Sequence, residues 1–253
     1  MLARPLHLLE EIFPSDGPTI SEDEWNSNRA LFCDELSRAV RELSGIAKLS
    51  IPRRVFVECK EEMVVTKSSG ISVCEFRIRP PTSYYDRTAQ SVPSPENPSG
   101  SHATGLKLAF SLFRGFVTRR AIHPACLSVE FEVWGVRERL NFKALLNDHR
   151  WLLQKLIELA DPKFSTSCVF DNVERHKFSS AFQRLELYFQ NEIDDENMFT
   201  LEKAFGSEST ATELVAFLLP LIALYDSAYG YCLPRQDKGR IQAYASLVMK
   251  TRA

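Results

Sequence analysis

The segment Leu127–Trp134 alternates apolar and polar residues, and this period of two constrains the fold more than any other feature of the sequence. Successive side chains of a β-strand point to opposite faces of a sheet. The pattern therefore predicts a strand with one dry and one wet face, which is typical of an antiparallel sheet. The expected dry face holds Leu127, Val129, Phe131 and Val133, and the expected wet face holds Ser128, Glu130 and Glu132.

Two hairpins are predicted to build this sheet. Arg53–Val65 and Ile71–Arg79 flank a short polar loop that ends in glycine, which is a hairpin signal. Leu106–Thr118 and Leu127–Trp134 form the second hairpin. Pairing of Thr66 with Ile71 would place three charged residues of the first strand opposite charged partners, namely Glu58 opposite Arg79, Lys60 opposite Arg77 and Glu62 opposite Glu75.

Helical periodicity occurs on both sides of this β-rich middle. Ser21 and Glu24 form a capping box at the start of a helix predicted over Glu22–Ser44. Apolar residues at steps of three and four predict further helices. These are Leu6–Phe13, Asn141–Ala160, a stripe from Phe178 to Ile193, Thr210–Tyr229 with a bend at Pro220, and Lys238–Lys250, and a short strand is expected at Thr166–Phe170.

The predicted fold class is α+β, with a mostly antiparallel sheet of two hairpins, covering helices and a helical C-terminal portion. Residues 1–172 form the α+β domain, and residues 173–253 form the helical portion, either packed on it or continuous with it. Residues 80–105 hold five of the thirteen prolines and show no periodicity. A segment of this length without periodicity predicts a long mobile loop.

Composition is typical of a soluble globular protein, with 44% hydrophobic residues and a net charge of −2. The six cysteines are spread thinly along 253 residues and form no zinc-ribbon spacing, which favours reduced thiols. Glu10 and Glu11 interrupt the region where an export signal needs its apolar run. The most apolar stretch, Leu214–Tyr225, is shorter than the roughly 20 residues of a membrane span. We therefore expect a cytoplasmic protein without membrane contact.

Motifs of the common nucleotide-binding and hydrolytic enzymes are missing from the sequence. It contains no G-x-G-x-x-G, no P-loop and no G-x-S-x-G. The five histidines never lie within four residues of one another, and no H-E-x-x-H occurs. The sequence therefore predicts no cofactor and points to no metal site.

One short motif does suggest catalysis. Glu58 and Lys60 are two residues apart on a predicted strand and so project from the same face. This tripeptide is similar to the E-x-K core of restriction-type nucleases, which implies a carboxylate that holds Mg²⁺ and a lysine that stabilises developing charge. Residues 45–56, which precede the strand, contain no second carboxylate. The alternative interpretation is a solvated charge ladder with Arg77 and Arg79.

Charge is distributed unevenly along the chain. Residues 1–45 carry a net charge of −5, residues 46–125 a net charge of +6, and the remainder a net charge of −3. Aromatic residues are interleaved with the cations of the middle segment, and such surfaces can track phosphates and stack bases. The alternative is docking of the chain's own acidic helices or of an acidic partner. The candidate binding residues are Arg53, Arg54, Arg77, Arg79, Tyr84, Tyr85, Arg114, Arg119 and Arg120.

Two further clusters of titratable residues favour structural roles. Asp148 and His149 lie on a predicted amphipathic helix, where a histidine on the apolar face is usually a core residue. The run Asp194–Glu196 could bind a divalent cation, but an exposed helix end explains it more simply.

The function predicted from the sequence is a non-catalytic adaptor or subunit that engages a partner through the basic β-rich middle. The partner is expected to be a protein or a second copy of the chain, and DNA or RNA is the other class considered. The alternative is a Mg²⁺-dependent nuclease that uses Glu58 and Lys60, and only that alternative requires a cofactor.

Overall fold

A computed structural model of the chain describes 58–66, 69–78, 105–113, 116–117, 122–123, 126–166, 180–190, 198–206, 208–232, 236, 238–239 and 241–242. For residues 58–78 the description covers the backbone only. The predicted helices Leu6–Phe13 and Glu22–Ser44 lie outside the described residues. So do nearly all of the predicted loop 80–105 and most of the predicted helix Lys238–Lys250.

One antiparallel sheet of six strands organises the described residues, in the order β1-β2-β3-β6-β8-β7. A small separate hairpin pairs β4 with β5. The predicted α+β class with a mostly antiparallel sheet is confirmed, and β1–β2 and β3–β6 are its two hairpins. The strands are β1 Glu58–Thr66, β2 Ser69–Ile78, β3 Leu106–Phe113, β4 Phe116–Val117, β5 Ile122–His123, β6 Cys126–Val133, β7 Lys163–Thr166 and β8 Phe199–Phe205.

The described residues form three long helices: α1 Val136–Ala160, α2 Ala181–Gln190 and α3 Ala211–Cys232. α1 packs against α2 and α3, while α3 also contacts β3 and α2 contacts β7. The helices cover one face of the sheet. On that face, the ring of Phe131 on β6 lies 6.0 Å from the ring of Phe142 on α1. The covered face is therefore the predicted dry face.

The helix ends follow from local hydrogen bonds. α1 begins five residues before the predicted Asn141 and ends at Ala160 as predicted. Asp161 then adopts a left-handed conformation with φ 49°, and its N–H donates to the Ile157 carbonyl at 2.9 Å. At the start of α3, Thr210 and Glu213 exchange bonds of 2.8 and 3.2 Å in a capping box. α3 continues as a helix through Pro220.

The core lies between the sheet and the helices and is rich in aromatic side chains. All four predicted dry residues of β6 are 0% exposed. Phe199 on β8 lies at the centre of the cluster, 5.0 Å from the ring of Phe142 and 5.5 Å from that of Phe189. α3 is buried along nearly its whole length, which fits its apolar sequence.

The first hairpin departs from the predicted register by two residues. The observed pairs are Thr66–Ser69, Glu58–Arg77, Lys60–Glu75 and Glu62–Val73. The predicted partners Glu58–Arg79, Lys60–Arg77 and Glu62–Glu75 are therefore wrong, because the connection has two residues, the commonest hairpin length. A shift by an even number of residues leaves every residue on its predicted face.

β8 is not among the predicted elements, although it occupies an inner position of the sheet. It pairs with β6 on one side and with β7 on the other. β7 itself begins at Lys163, so the strand predicted at Thr166–Phe170 overlaps it only at Thr166. Pairing of β8 completes the surface described next.

Candidate functional site

The E-x-K motif lies on β1, which is at one edge of the sheet formed by the described strands. Backbone pairing places Glu58 opposite Arg77 of β2 and Lys60 opposite Glu75. An acidic position on the neighbouring strand is thus next to the motif. The same opposed charges are also what the charge-ladder interpretation expects.

Most of the predicted binding residues lie outside the described residues. These are Arg53, Arg54, Arg79, Tyr84, Tyr85, Arg114, Arg119 and Arg120. Of the basic middle segment, Lys107 on β3 is described with its side chain, and its Nζ lies 2.8 Å from Oε1 of Glu132. The charge of Lys107 is therefore neutralised by a carboxylate of the same sheet. Asp194–Glu196 also lies outside the described residues.

Three carboxylates share the face of the sheet that points away from the helices, and we name Glu130, Glu132 and Glu202 the carboxylate row. Glu130 on β6 stands directly opposite Glu202 on β8. Glu132 follows two residues after Glu130 and so lies on the same face. Sequence reasoning places Glu130 and Glu132 on this face correctly, but it misses the opposed Glu202 because that strand is not predicted.

Each member of the carboxylate row has a different partner. Glu132 pairs with Lys107, and its side chain is 10% exposed. Glu202 pairs with Lys163 at 3.1 Å and accepts a hydrogen bond from the Ser165 hydroxyl at 2.8 Å. Glu130 accepts a bond from the Ser128 hydroxyl at 2.9 Å.

The environment of Glu130 changes its acidity. Burial raises the pKa of Glu130 to about 7; the hydrogen bond from Ser128 opposes the rise, and the charges of Glu132 and Glu202 add to it. A carboxyl group with a pKa near 7 can hold or release a proton at neutral pH. Within the described part of the chain, no group of three His, Cys, Asp or Glu side chains is placed to hold a metal ion.

A second surface lies on the solvent side of α1. Leu140 is 52% exposed and Trp151 is 56% exposed, and Trp134, just before the helix, is 37% exposed. Leu140 and Trp151 are both exposed residues of α1, on either side of the departure from helical geometry at His149. We name Trp134, Leu140 and Trp151 the α1 surface. Its members stand out because most other large apolar side chains of the described residues are buried.

Two cations beside Trp151 on the α1 surface are paired within the chain. Arg150 donates to the carboxylate of Glu186 on α2 in a two-bond pair, one bond of which is 2.9 Å long. Lys155 lies 3.0 Å from Glu158 one turn further along α1. These two cations are therefore neutralised within the chain, whereas the apolar side chains of the α1 surface are exposed.

Asp148 connects α1 to the chain that follows α3. Its Oδ2 accepts bonds from the Tyr231 hydroxyl at 2.9 Å and from Lys238 Nζ at 2.7 Å. These bonds lower the pKa of Asp148, whereas burial and the Asp148 carboxylate raise that of Tyr231. His149 is half-buried and stands edge-on to the Tyr231 ring, and α1 departs from helical geometry there. Asp148, Tyr231 and Lys238 thus connect α1 with α3 and the chain after it, and we name these three residues the clamp.

A cavity of about 250 Å³ lies between the end of α1, β7 and the start of α2. Charges of both signs line it, including Glu158 and Lys163. These two already pair with Lys155 and Glu202. The volume is also below the range of about 300–1,000 Å³ that is typical of small-molecule sites. The cavity is therefore a weaker candidate than either surface.

Comparison of the chain with protein-family models, with curated proteins and with solved structures gives no match. Among the described residues, the helix Thr212–Cys232 is long and apolar enough to cross a membrane, with a mean hydropathy of 1.4. Its most apolar window is 83% buried inside the protein, as in the core helix of a globular domain.

Proposed function

We propose that this chain is an adaptor or subunit that binds a protein partner through the α1 surface. The exposure of Trp151 and Leu140, both above half, is the observation that carries the proposal. Tryptophan is among the residues that contribute most to binding energy in protein interfaces. Trp134 extends the same apolar character to the start of the helix.

The charge pattern around the α1 surface favours a protein over a nucleic acid. Phosphate binding requires lysine and arginine side chains that are free to replace counterions. Arg150 and Lys155 instead pair with carboxylates of the same chain. In the sheet, Lys107 does the same. An apolar surface whose neighbours Arg150 and Lys155 are already paired fits a partner whose own contact residues are apolar.

Site-specific photo-crosslinking tests this function. A benzoylphenylalanine replaces Trp151 in one variant and Gln183, an exposed residue of α2, in a matched control. We expect a protein adduct from position 151 that survives nuclease treatment and is absent from position 183. Adding Leu140→Glu is expected to reduce that adduct at least tenfold, because a charge at an apolar contact is costly.

Two results contradict the proposal. One is an equal yield of adducts from positions 151 and 183, which indicates non-specific contact. The other is an adduct that nuclease treatment removes, which indicates DNA or RNA as the partner. Circular dichroism of the Leu140→Glu variant shows that any loss of adduct is not a loss of folding.

The Mg²⁺-dependent nuclease is retained as a second candidate, because the register places Glu75 opposite Lys60 and so adds an acidic position beside the E-x-K motif. Its test is cleavage of plasmid DNA and of single-stranded RNA with and without Mg²⁺. The nuclease predicts cleavage that Lys60→Ala abolishes and that Lys155→Ala, a substitution on α1, leaves unchanged. A wild-type chain without metal-stimulated cleavage removes this candidate.

A further inference from the structure

The carboxylate row carries more negative charge than its described neighbours balance. Two described lysines form ion pairs with the three glutamates of the row. Lys107 pairs with Glu132, and Lys163 pairs with Glu202. Glu130 is left between them, with the Ser128 hydroxyl as its hydrogen-bond donor. Two carboxylates placed directly opposite each other in an antiparallel pair repel, and Glu130 and Glu202 are so placed.

A carboxylate in this position needs either a cation or a proton. Glu132 lies two residues along the same strand and on the same face, but its carboxylate already pairs with Lys107. Glu202 likewise already pairs with Lys163. The two described lysines are therefore engaged by the other two carboxylates, and a proton on the Glu130 carboxyl group relieves its repulsion with Glu202.

Every strand packed against Glu130 contributes to this environment. On its own strand β6 stand Ser128 and Glu132, and across from it on β8 stands Glu202. On the other side, β3 presents the uncharged Ala109 directly opposite, with Lys107 two residues along. One strand further out on each side, the position of Lys163 on β7 is opposite Glu202, and the position of Arg77 on β2 is opposite Ala109.

We propose that Glu130, opposed by Glu202 across the strand pair, holds a proton in the folded chain, and that release of this proton weakens the pairing of β6 with β8, so that the sheet is a pH-sensitive switch. β6 is an inner strand whose opposite face is the centre of the core. A second full charge at Glu130 therefore acts on the pairing that holds the whole sheet together. This proposal is independent of the α1 surface.

The direction of the pH effect follows from the two states of Glu130. Its pKa is raised in the folded chain to about 7, compared with an ordinary value of 4.5. The folded state thus binds the proton more tightly than the unfolded state does. The contribution of the Glu130 proton to the free energy of unfolding is complete below pH 4.5 and is lost as the pH rises through about 7.

Carboxyl NMR and urea unfolding of the full chain test the switch together. We expect the Glu130 carboxyl carbon to titrate well above the ordinary range. The folding equilibrium constant is expected to fall between pH 5 and pH 7 by up to about tenfold per pH unit, the limit for one proton. Glu130→Gln, which mimics the neutral side chain, should remove this fall. Glu158→Gln, an exposed site on α1, should keep it.

A second variant keeps the test decisive if Glu130→Gln does not fold. Glu202→Gln removes the charge directly opposite Glu130 and should shift the Glu130 titration to lower pH. Titration of Glu130 in the ordinary carboxyl range overturns the proposal. An unchanged titration in Glu202→Gln, or an unchanged pH dependence in a folded Glu130→Gln, does so as well.

Discussion

The two faces of the sheet are made by the same strands but differ in how they are stabilised. On the helix side, Phe131 and Phe199 are 0% exposed and pack ring against ring. On the other side, Glu130 and Glu132 depend on particular neighbours, since Glu130 accepts a hydrogen bond from Ser128 and Glu132 pairs with Lys107. The apolar face requires only that residues be apolar and fill space, whereas the polar face requires that named partners meet in one register.

The largest expected effect comes from the apolar face. Phe131→Ala removes a fully buried ring from the aromatic cluster and leaves a cavity between β6 and α1. We expect a loss of about 3–5 kcal/mol in the free energy of unfolding, measured by urea denaturation. A loss below about 1 kcal/mol would mean that the helix side of the sheet is not the main source of stability.

An intermediate effect is expected on the polar face. Lys107→Met keeps the length of the side chain but leaves Glu132, whose side chain is 10% exposed, without its ammonium partner. The expected cost is about 1–3 kcal/mol in the free energy of unfolding, measured by urea denaturation, because a nearly buried carboxylate loses its ion pair. A cost near zero would show that the pairing of charges is not what stabilises this face.

A smaller effect is expected at the clamp between α1 and α3. Tyr231→Phe removes the hydroxyl that donates to Asp148 at 2.9 Å and keeps the ring against Lys238. We expect a loss of about 1 kcal/mol in thermal or urea unfolding. Asp148→Asn provides the matched control, because it keeps an acceptor for Tyr231 while removing the charge that Lys238 contacts.

The smallest effect is expected on the α1 surface, which belongs to neither face of the sheet. Trp151→Ala should change the free energy of unfolding by no more than about 0.5 kcal/mol, since the side chain is 56% exposed. The contrast with Phe131→Ala separates an aromatic residue that builds the core from one that is free for binding. A large loss of stability in Trp151→Ala would assign this ring to the fold instead.

The sequence predicts the apolar face well because that face depends on local periodicity. Alternation in Leu127–Trp134 suffices to place the dry residues of β6. The end of α1 is equally local, since Asp161 leaves helical geometry directly before Pro162. Stretches such as these indicate their own structure without reference to distant parts of the chain.

Features that depend on pairing between distant segments were predicted less well. Phe199–Phe205 has apolar residues at its first, third and last positions. This segment is short and lies between stretches with helical periodicity, so its sequence alone does not predict a strand. Without β8, nothing indicates that Glu202 stands opposite Glu130. Trp151 falls outside the apolar stripe of its helix, and that displacement is the signal that could have identified the α1 surface.

The position of β8 between β6 and β7 has a consequence for synthesis on the ribosome. β6 gains its second neighbour, and β7 its only one among the described strands, when residues beyond 198 have been made. Until then the nascent chain presents a long unpaired edge of β6, the kind of edge that recruits other polypeptides. Completion of the sheet must therefore wait until β8 has been made, and termination of synthesis before this point would yield fragments prone to aggregate.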